Sequence, residues 1–253
     1  MILHSQIIGE GVPFIILHGF LGSGDNWKTL GNQFAEEGYQ VHLVDQRNHG
    51  RSFHSESFSY KVMADDLLRY LDHHTISECI LLGHSMGGKT AMQFATEHPE
   101  KVSKLLIADI GPKAYPQHHQ DILKALSSLN FSEIKSRGQA DKVLSEYIPE
   151  VGIRQFLLKN LYWKEKGKLG LRINLPILSE KISEVGTALP ITSVFEKPTL
   201  FLKGERSGYI EKLDDLLIYK HFPRAVIVTV SKAGHWLHAE NPSEFYHNVI
   251  KFL

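Results

Sequence analysis

Residues 81–89 read LLGHSMGGK and carry a Gly-x-Ser-x-Gly pattern at 83–87. An apolar run precedes the pattern and a helical spacing follows it, so Ser85 falls on a strand-to-helix turn. A serine forced into so sharp a turn needs neighbours without side chains, and Gly83 and Gly87 supply that room. The turn lifts the hydroxyl clear of its strand and aims a helix N-terminus and the Met86 amide at any oxyanion formed on attack. A hydroxyl alone is a poor nucleophile, so a base is required. The segment SKAGHWLHAENP places His235 in a glycine-led loop after the last apolar run. A His235–His238 metal pair competes with that reading, but no carboxylate or cysteine cluster accompanies it. His84 flanks Ser85 and is expected to point away from its hydroxyl, because adjacent side chains diverge.

A base of this kind needs a carboxylate to orient it. The loop after TLFLKG reads GERSGYIEKLDD, with Ser207 where a carboxylate is expected. Glu205 lies too close to the strand, Glu211 starts a helix, and Asp214 and Asp215 fall further along it on an exposed face. One strand earlier, KLLIADIGP ends an interior apolar run on Asp109. An unpaired carboxylate there is costly. Asp109 is therefore expected to reach Nδ1 of His235, against the alternative of a structural carboxylate capping the following loop. A second oxyanion donor is expected from ILHGFLGS, residues 16–23, at the Phe20 amide, paired with that of Met86. A phosphate-binding loop is the rival there, but neither glycine-rich phosphate pattern is present.

Positioning these groups requires a parallel sheet covered by helices on both faces. Apolar runs at PFIILHG, YQVHLVD, ECILLGH, KLLIADI, PTLFLKG and RAVIVTV, with an earlier one over 2–8, have the length and β-branched content of strands. Helical spacing covers 27–37, 60–73, 86–97, 211–220 and 241–252, the last with Asn241 as N-cap and Pro242 at the first helical position. The rhythm breaks between 112 and 198. Some 85 residues there show Leu, Ile and Phe at helical intervals and no convincing strand, too long for a plain connection. They read as a helical cap, residues 113–197, inserted after the sixth strand of a core formed by 1–112 and 198–253. WKEKGKLGLRIN within it reads as a hairpin or loop. Phe20, Met86, Tyr209, Trp236 and Trp163 are expected to wall an apolar pocket beneath the cap. DQRNHGRS, residues 45–52, reads as a turn knitted by its own side chains rather than a substrate contact.

The composition narrows the classes. The chain has 253 residues, 42% hydrophobic and 22% charged, near the average of a globular protein. Lys plus Arg equal Asp plus Glu at 28 each, so no net field favours nucleic acid or an anionic membrane. The pairs His73-His74 and His118-His119 sit in polar helical stretches and are expected to be solvated. The one cysteine, Cys79, cannot form an internal disulfide and reads as a buried strand thiol. No apolar stretch is long enough for a membrane span, and the N-terminus lacks the pattern of a signal peptide. A cytoplasmic location is the expectation.

Together VDQRNHGRS, LLGHSMGGK, IADIGP, FLLKNL and KAGHW resemble the YbfF-type esterases of the α/β-hydrolase superfamily and their mitochondrial ABHD-type relatives. The resemblance runs nearly end to end, cap included. It implies an α/β-hydrolase fold with the acid at Asp109, and a later loop carrying a serine and a tyrosine that match Ser207 and Tyr209. It also implies hydrolysis of carboxylic esters, with acyl thioesters as a further substrate, and no metal or organic cofactor. A carbon–carbon bond hydrolase or lyase would use the same three residues. Dehalogenases and epoxide hydrolases place an aspartate where Ser85 stands. A non-catalytic ligand receptor on the same fold is the alternative of a different class. Oligomeric state is not legible.

Overall fold

The computed structural model describes residues 1–117 and 119–253; His118 lies outside them. Five strands, β1 (Ser5–Ile8), β2 (Val12–Leu17), β3 (Tyr39–Val44), β4 (Cys79–His84) and β5 (Val102–Ala108), precede the cap. A two-stranded hairpin, β6 (Leu161–Glu165) and β7 (Lys168–Leu171), lies inside the cap, and β8 (Thr199–Gly204) and β9 (Ala225–Val230) follow it. The main sheet runs β1-β3-β2-β4-β5-β8-β9. Only β1 is antiparallel to its neighbour.

Every residue of β4 is buried, as a central parallel strand requires when helices cover both faces. Alternation sorts the apolar side chains. Ile15, Leu17, Leu81, Leu105 and Ile107 pack with Leu67, Tyr70 and Phe94 of α2 (Tyr60–His73) and α3 (Met86–Glu97). Phe14, Ile16, Ile80, Leu82 and Leu106 face the other way, onto Leu30 and Phe34 of α1 (Lys28–Glu36). The cap brings α4 (Gln120–Ser127), α5 (Arg137–Ser145), α6 (Val151–Leu158), α7 (Leu175–Glu180) and α8 (Ile182–Val185). Its Leu126, Leu144, Leu157 and Leu178 share one apolar cluster with Phe20, Met63 and Met86 of the core. After the cap come α9 (Asp215–His221), α10 (Leu237–Glu240) and α11 (Pro242–Phe252), the last capped by the Asn241 side chain on the Glu244 amide.

Several sequence expectations need correction. The cap leaves after the fifth strand, not the sixth, because only five apolar runs precede it and each forms one strand. The segment 112–198 does contain strand, though only where WKEKGKLGLRIN reads as a hairpin or loop: that stretch forms most of the β6–β7 hairpin. The helix expected over 211–220 divides into a 3₁₀ turn, Lys212–Asp214, and α9, because Asp214 folds back to accept the Glu211 amide. The first helix is preceded by a 3₁₀ turn, Gly24–Trp27. His73 is exposed, but His74 is half-buried with its ring 4.4 Å from that of Tyr70. Cys79 is buried, and burial pushes its thiol up to about 12. Among the described residues no helix is long and apolar enough to cross a membrane.

Candidate active site

Ser85 joins β4 to α3 at φ 53° and ψ −119°, a left-handed conformation costing about 1–3 kcal/mol for a non-glycine residue. Its neighbours make the turn possible. A Cβ on Gly83 would lie 2.2 Å from the Gly87 carbonyl oxygen, and one on Gly87 would lie 2.4 Å from that of Leu17. The serine side chain thus stands at the carboxyl edge of the sheet, 8% exposed.

Asp109, one residue past β5, is fully buried and also adopts a positive φ, 52°. Oδ1 accepts the Gly204 amide at 2.9 Å. Oδ2 accepts from His235 Nδ1 at 2.8 Å and from the Ser207 hydroxyl. A carboxylate can only accept, so the proton sits on Nδ1 and the neutral ring presents Nε2 as an acceptor. That nitrogen is 3.0 Å from Ser85 Oγ. Three residues separated by 24 and 126 positions are thereby brought into one chain of hydrogen bonds. The rival acids are occupied elsewhere. Asp214 pairs with Lys113 at 2.6 Å, Asp215 with Lys212 at 2.8 Å, and Glu205 accepts the Lys232 amide at 2.7 Å.

Two residues beside the imidazole were under-read in the sequence. Ser207 reads as a missing carboxylate, and the family resemblance matches it without giving it a role; its hydroxyl holds Asp109 while accepting the Tyr209 amide at 3.3 Å. Tyr209 reads as a pocket wall, yet its ring stacks on His235 at 3.8 Å and 13°. Spacing could not reveal either contact, since the partners lie 98 and 26 residues away. Ser207 acts through Asp109, so it is a positioning residue. Ser207→Ala is expected to lower kcat about 10-fold with KM unchanged, the cost of one hydrogen bond to a charged group, and Ser207→Thr to restore most of it.

The loop carrying Phe20 is held from several sides. His18 donates from Nδ1 to the Gly19 carbonyl at 2.8 Å and accepts the Gln46 amide at 3.0 Å. His49 donates to the Arg47 carbonyl at 2.9 Å and accepts the Leu21 amide at 3.2 Å. From the cap, Asn160 Nδ2 donates to the Leu21 carbonyl at 2.8 Å. The segment 45–52 is thus knitted inward: Arg47 pairs with Asp66 at 2.6 Å, and Asn48 binds both ends of residue 55's backbone. Both imidazoles are held neutral by burial, His18 lowered to about 4 and His49 to about 3. His238, stacked on Trp27 at 4.2 Å, is lowered by the same cause to about 3. An unfolded histidine takes up its proton near 6.5, so the unfolded chain binds more protons between that value and about 4. Folding stability should therefore hold steady above about pH 6.5 and fall as the pH drops below it. Thermal melts from pH 8 to pH 4 check this, and a melting temperature that rises on acidification would contradict it.

A cavity of about 240 Å³ opens on Ser85 and His235 and is walled by Phe20, Tyr209 and Trp236 with Ile122, Ile153 and Phe156 of the cap. Met86 instead borders a smaller recess that shares Ser85 and Tyr209 with the larger one. Trp163 lines neither. It lies on the hairpin, 54% exposed, because β6 runs outward along the cap and buries only Leu161 well. His84 turns from the Ser85 hydroxyl to the His235 carbonyl, 2.8 Å away. Among the described residues no group of three or more histidines, cysteines or carboxylates could hold a metal ion.

A mostly parallel sheet with a serine on a strained strand-to-helix turn, and a histidine and an aspartate at the same edge, defines a hydrolase of the α/β class. Residues 12–136 match the profile of the alpha/beta hydrolase fold. The chain is 38% identical to mouse (Mus musculus) sn-1-specific diacylglycerol lipase ABHD11 over 94% of its length and 80% of the relative's. It is 32% identical to esterase YbfF of Escherichia coli, covering 95% of this chain and 92% of that one. The solved structure of a marine microorganism esterase superimposes with a TM-score of 0.95 at 43% identity, over all of both chains. The chain belongs to the α/β-hydrolase family, among the YbfF-type and ABHD-type hydrolases.

Proposed function

We propose that Ser85, His235 and Asp109 form the catalytic triad of a carboxylesterase, with the Phe20 and Met86 amides holding the oxyanion. Ester hydrolysis is the general activity of this chain's class, and the hydrogen-bonded line from Ser85 through His235 to Asp109 is the observation that carries the residue assignment. In the first step Ser85 Oγ bonds to the ester carbonyl carbon while its proton passes to His235 Nε2. The carbonyl π pair moves onto oxygen, which faces two backbone N–H donors. Asp109 does not take the proton; it stabilises the imidazolium. Return of the electron pair breaks the carbon–oxygen bond, and His235 protonates the departing alcohol. Water then repeats the sequence on the acyl-enzyme, giving up a proton to His235 and releasing the acid and Ser85. Acyl thioesters would follow the same path with a thiol leaving.

Residues 113–197 are the cap in this reading, closing the site from above the core of 1–112 and 198–253. The name of the mouse relative, a diacylglycerol lipase, favours a second reading with diacylglycerols as substrate. Stopped-flow hydrolysis of p-nitrophenyl acetate tests the mechanism. A burst of p-nitrophenolate equal to the enzyme concentration, or steady turnover linear in enzyme, is expected. An inert protein across a panel of esters and thioesters would leave the ligand-receptor alternative standing.

A further inference from the structure

Ser85 borders two recesses of unequal size, which also share Tyr209 and His119. The larger, about 240 Å³, is bordered by His235 and Trp236; the smaller, about 20 Å³, is bordered by Met86, Ile110, Tyr115, Ile182 and Val185 and not by His235. An ester bound at Ser85 sends one arm into each. The leaving-group oxygen must come within hydrogen-bond reach of the group that protonates it. The alcohol arm therefore belongs on the His235 side, and the acyl arm on the side of Met86. Because 10–15 Å³ of such space is about what one water needs, the smaller recess has room for roughly one or two carbons.

Several walls of that recess are held by hydrogen bonds. Tyr115 is fixed at its hydroxyl, which accepts the Gly111 amide at 2.7 Å and donates to the Tyr209 carbonyl at 2.6 Å. Its own amide donates to the Gly186 carbonyl at 2.8 Å. Tyr60 donates to the Val185 carbonyl at 2.7 Å. Buried Lys89, reaching up from α3, donates to the carbonyls of Lys113 at 2.5 Å and Thr187 at 3.0 Å, tying the start of the cap and its Thr187 turn to the core. The larger recess is bounded on its cap side by Ile122, Ile153 and Phe156, apolar side chains that can repack.

Resting on the triad reading above, the geometry points to esters of short acids, acetyl to propionyl, with bulky apolar alcohols as the substrate class. Long-chain acyl esters overfill the fixed recess. Two matched series on the full chain test this. With 1-naphthol as the constant alcohol, kcat/KM should fall at least about 10-fold from acetate to butyrate and further to octanoate, the scale of one or two misplaced methylenes in an apolar pocket. With acetate constant, kcat/KM should rise from methyl to benzyl to naphthyl. Ile182→Ala and Val185→Ala should each raise the octanoate-to-acetate ratio. Octanoate hydrolysed faster than acetate by the native protein would overturn the inference while leaving the triad intact. A ratio unmoved in both variants would overturn the assignment of the acyl arm. Absence of hydrolysis throughout both series would instead sink the triad reading itself.

Discussion

Asp109→Asn is expected to lower kcat about 10⁴-fold while the fold and KM persist. The asparagine fills the same buried space, and its oxygen can still accept the Gly204 amide, as Oδ1 does now. Its amide nitrogen would then face His235 Nδ1, where a carboxylate oxygen lies at 2.8 Å. A donor cannot receive the Nδ1 proton, so the imidazole moves its proton to Nε2. That tautomer cannot accept from Ser85, and nothing balances an imidazolium if one forms. Asp214→Asn is the matching control. It breaks the ion pair with Lys113, away from the imidazole, and should change kcat less than about threefold. Steady-state kinetics with circular dichroism on both variants gives the answer. A crippled Asp214→Asn beside an active Asp109→Asn would reverse the assignment.

Ser85→Ala should remove more, about 10⁶-fold in kcat, because no acyl-enzyme can form without the hydroxyl. The fold should persist. Alanine meets the same left-handed strain at φ 53° as serine, and the turn depends on Gly83 and Gly87 rather than on the hydroxyl. The variant should still bind ester, since Phe20, Tyr209 and Trp236 are untouched. Single-turnover measurement with an aromatic acetate separates binding from chemistry. A variant retaining more than about one hundredth of the native rate would exclude Ser85 as the nucleophile.

The parts of the molecule buried on both sides were readable from sequence, because burial imposes composition. β2, β4 and β5 carry apolar runs at 14–17, 79–82 and 105–108, and each strand forms around its run. Asp109 stood out by the same logic, as a charge at the end of such a run that the interior tolerates only if paired. Where one face is wet, the signal fades. The β6–β7 hairpin has three exposed residues of five in its first strand, and its Tyr-Trp-Lys-Glu sequence carries no core pattern. Trp163 looked like a pocket wall because aromatics are usually buried; at a hairpin rim nothing forces it inward. Contacts between loops leave no trace in spacing, which is why the Ser207–Asp109 bond and the stacking of Tyr209 on His235 are not legible in the sequence. Cavity walls such as Ile122 and Ile153 are also illegible, since an apolar residue on a helix face reads alike whether it meets a neighbour or a void.

The most direct test of the triad is covalent. A fluorophosphonate probe should phosphonylate the native protein at one site, and peptide mass spectrometry should place the adduct on Ser85. Asp109→Asn should label far more slowly and Ser85→Ala not at all. An adduct on another residue, or native protein that stays unlabelled while folded, would contradict the account.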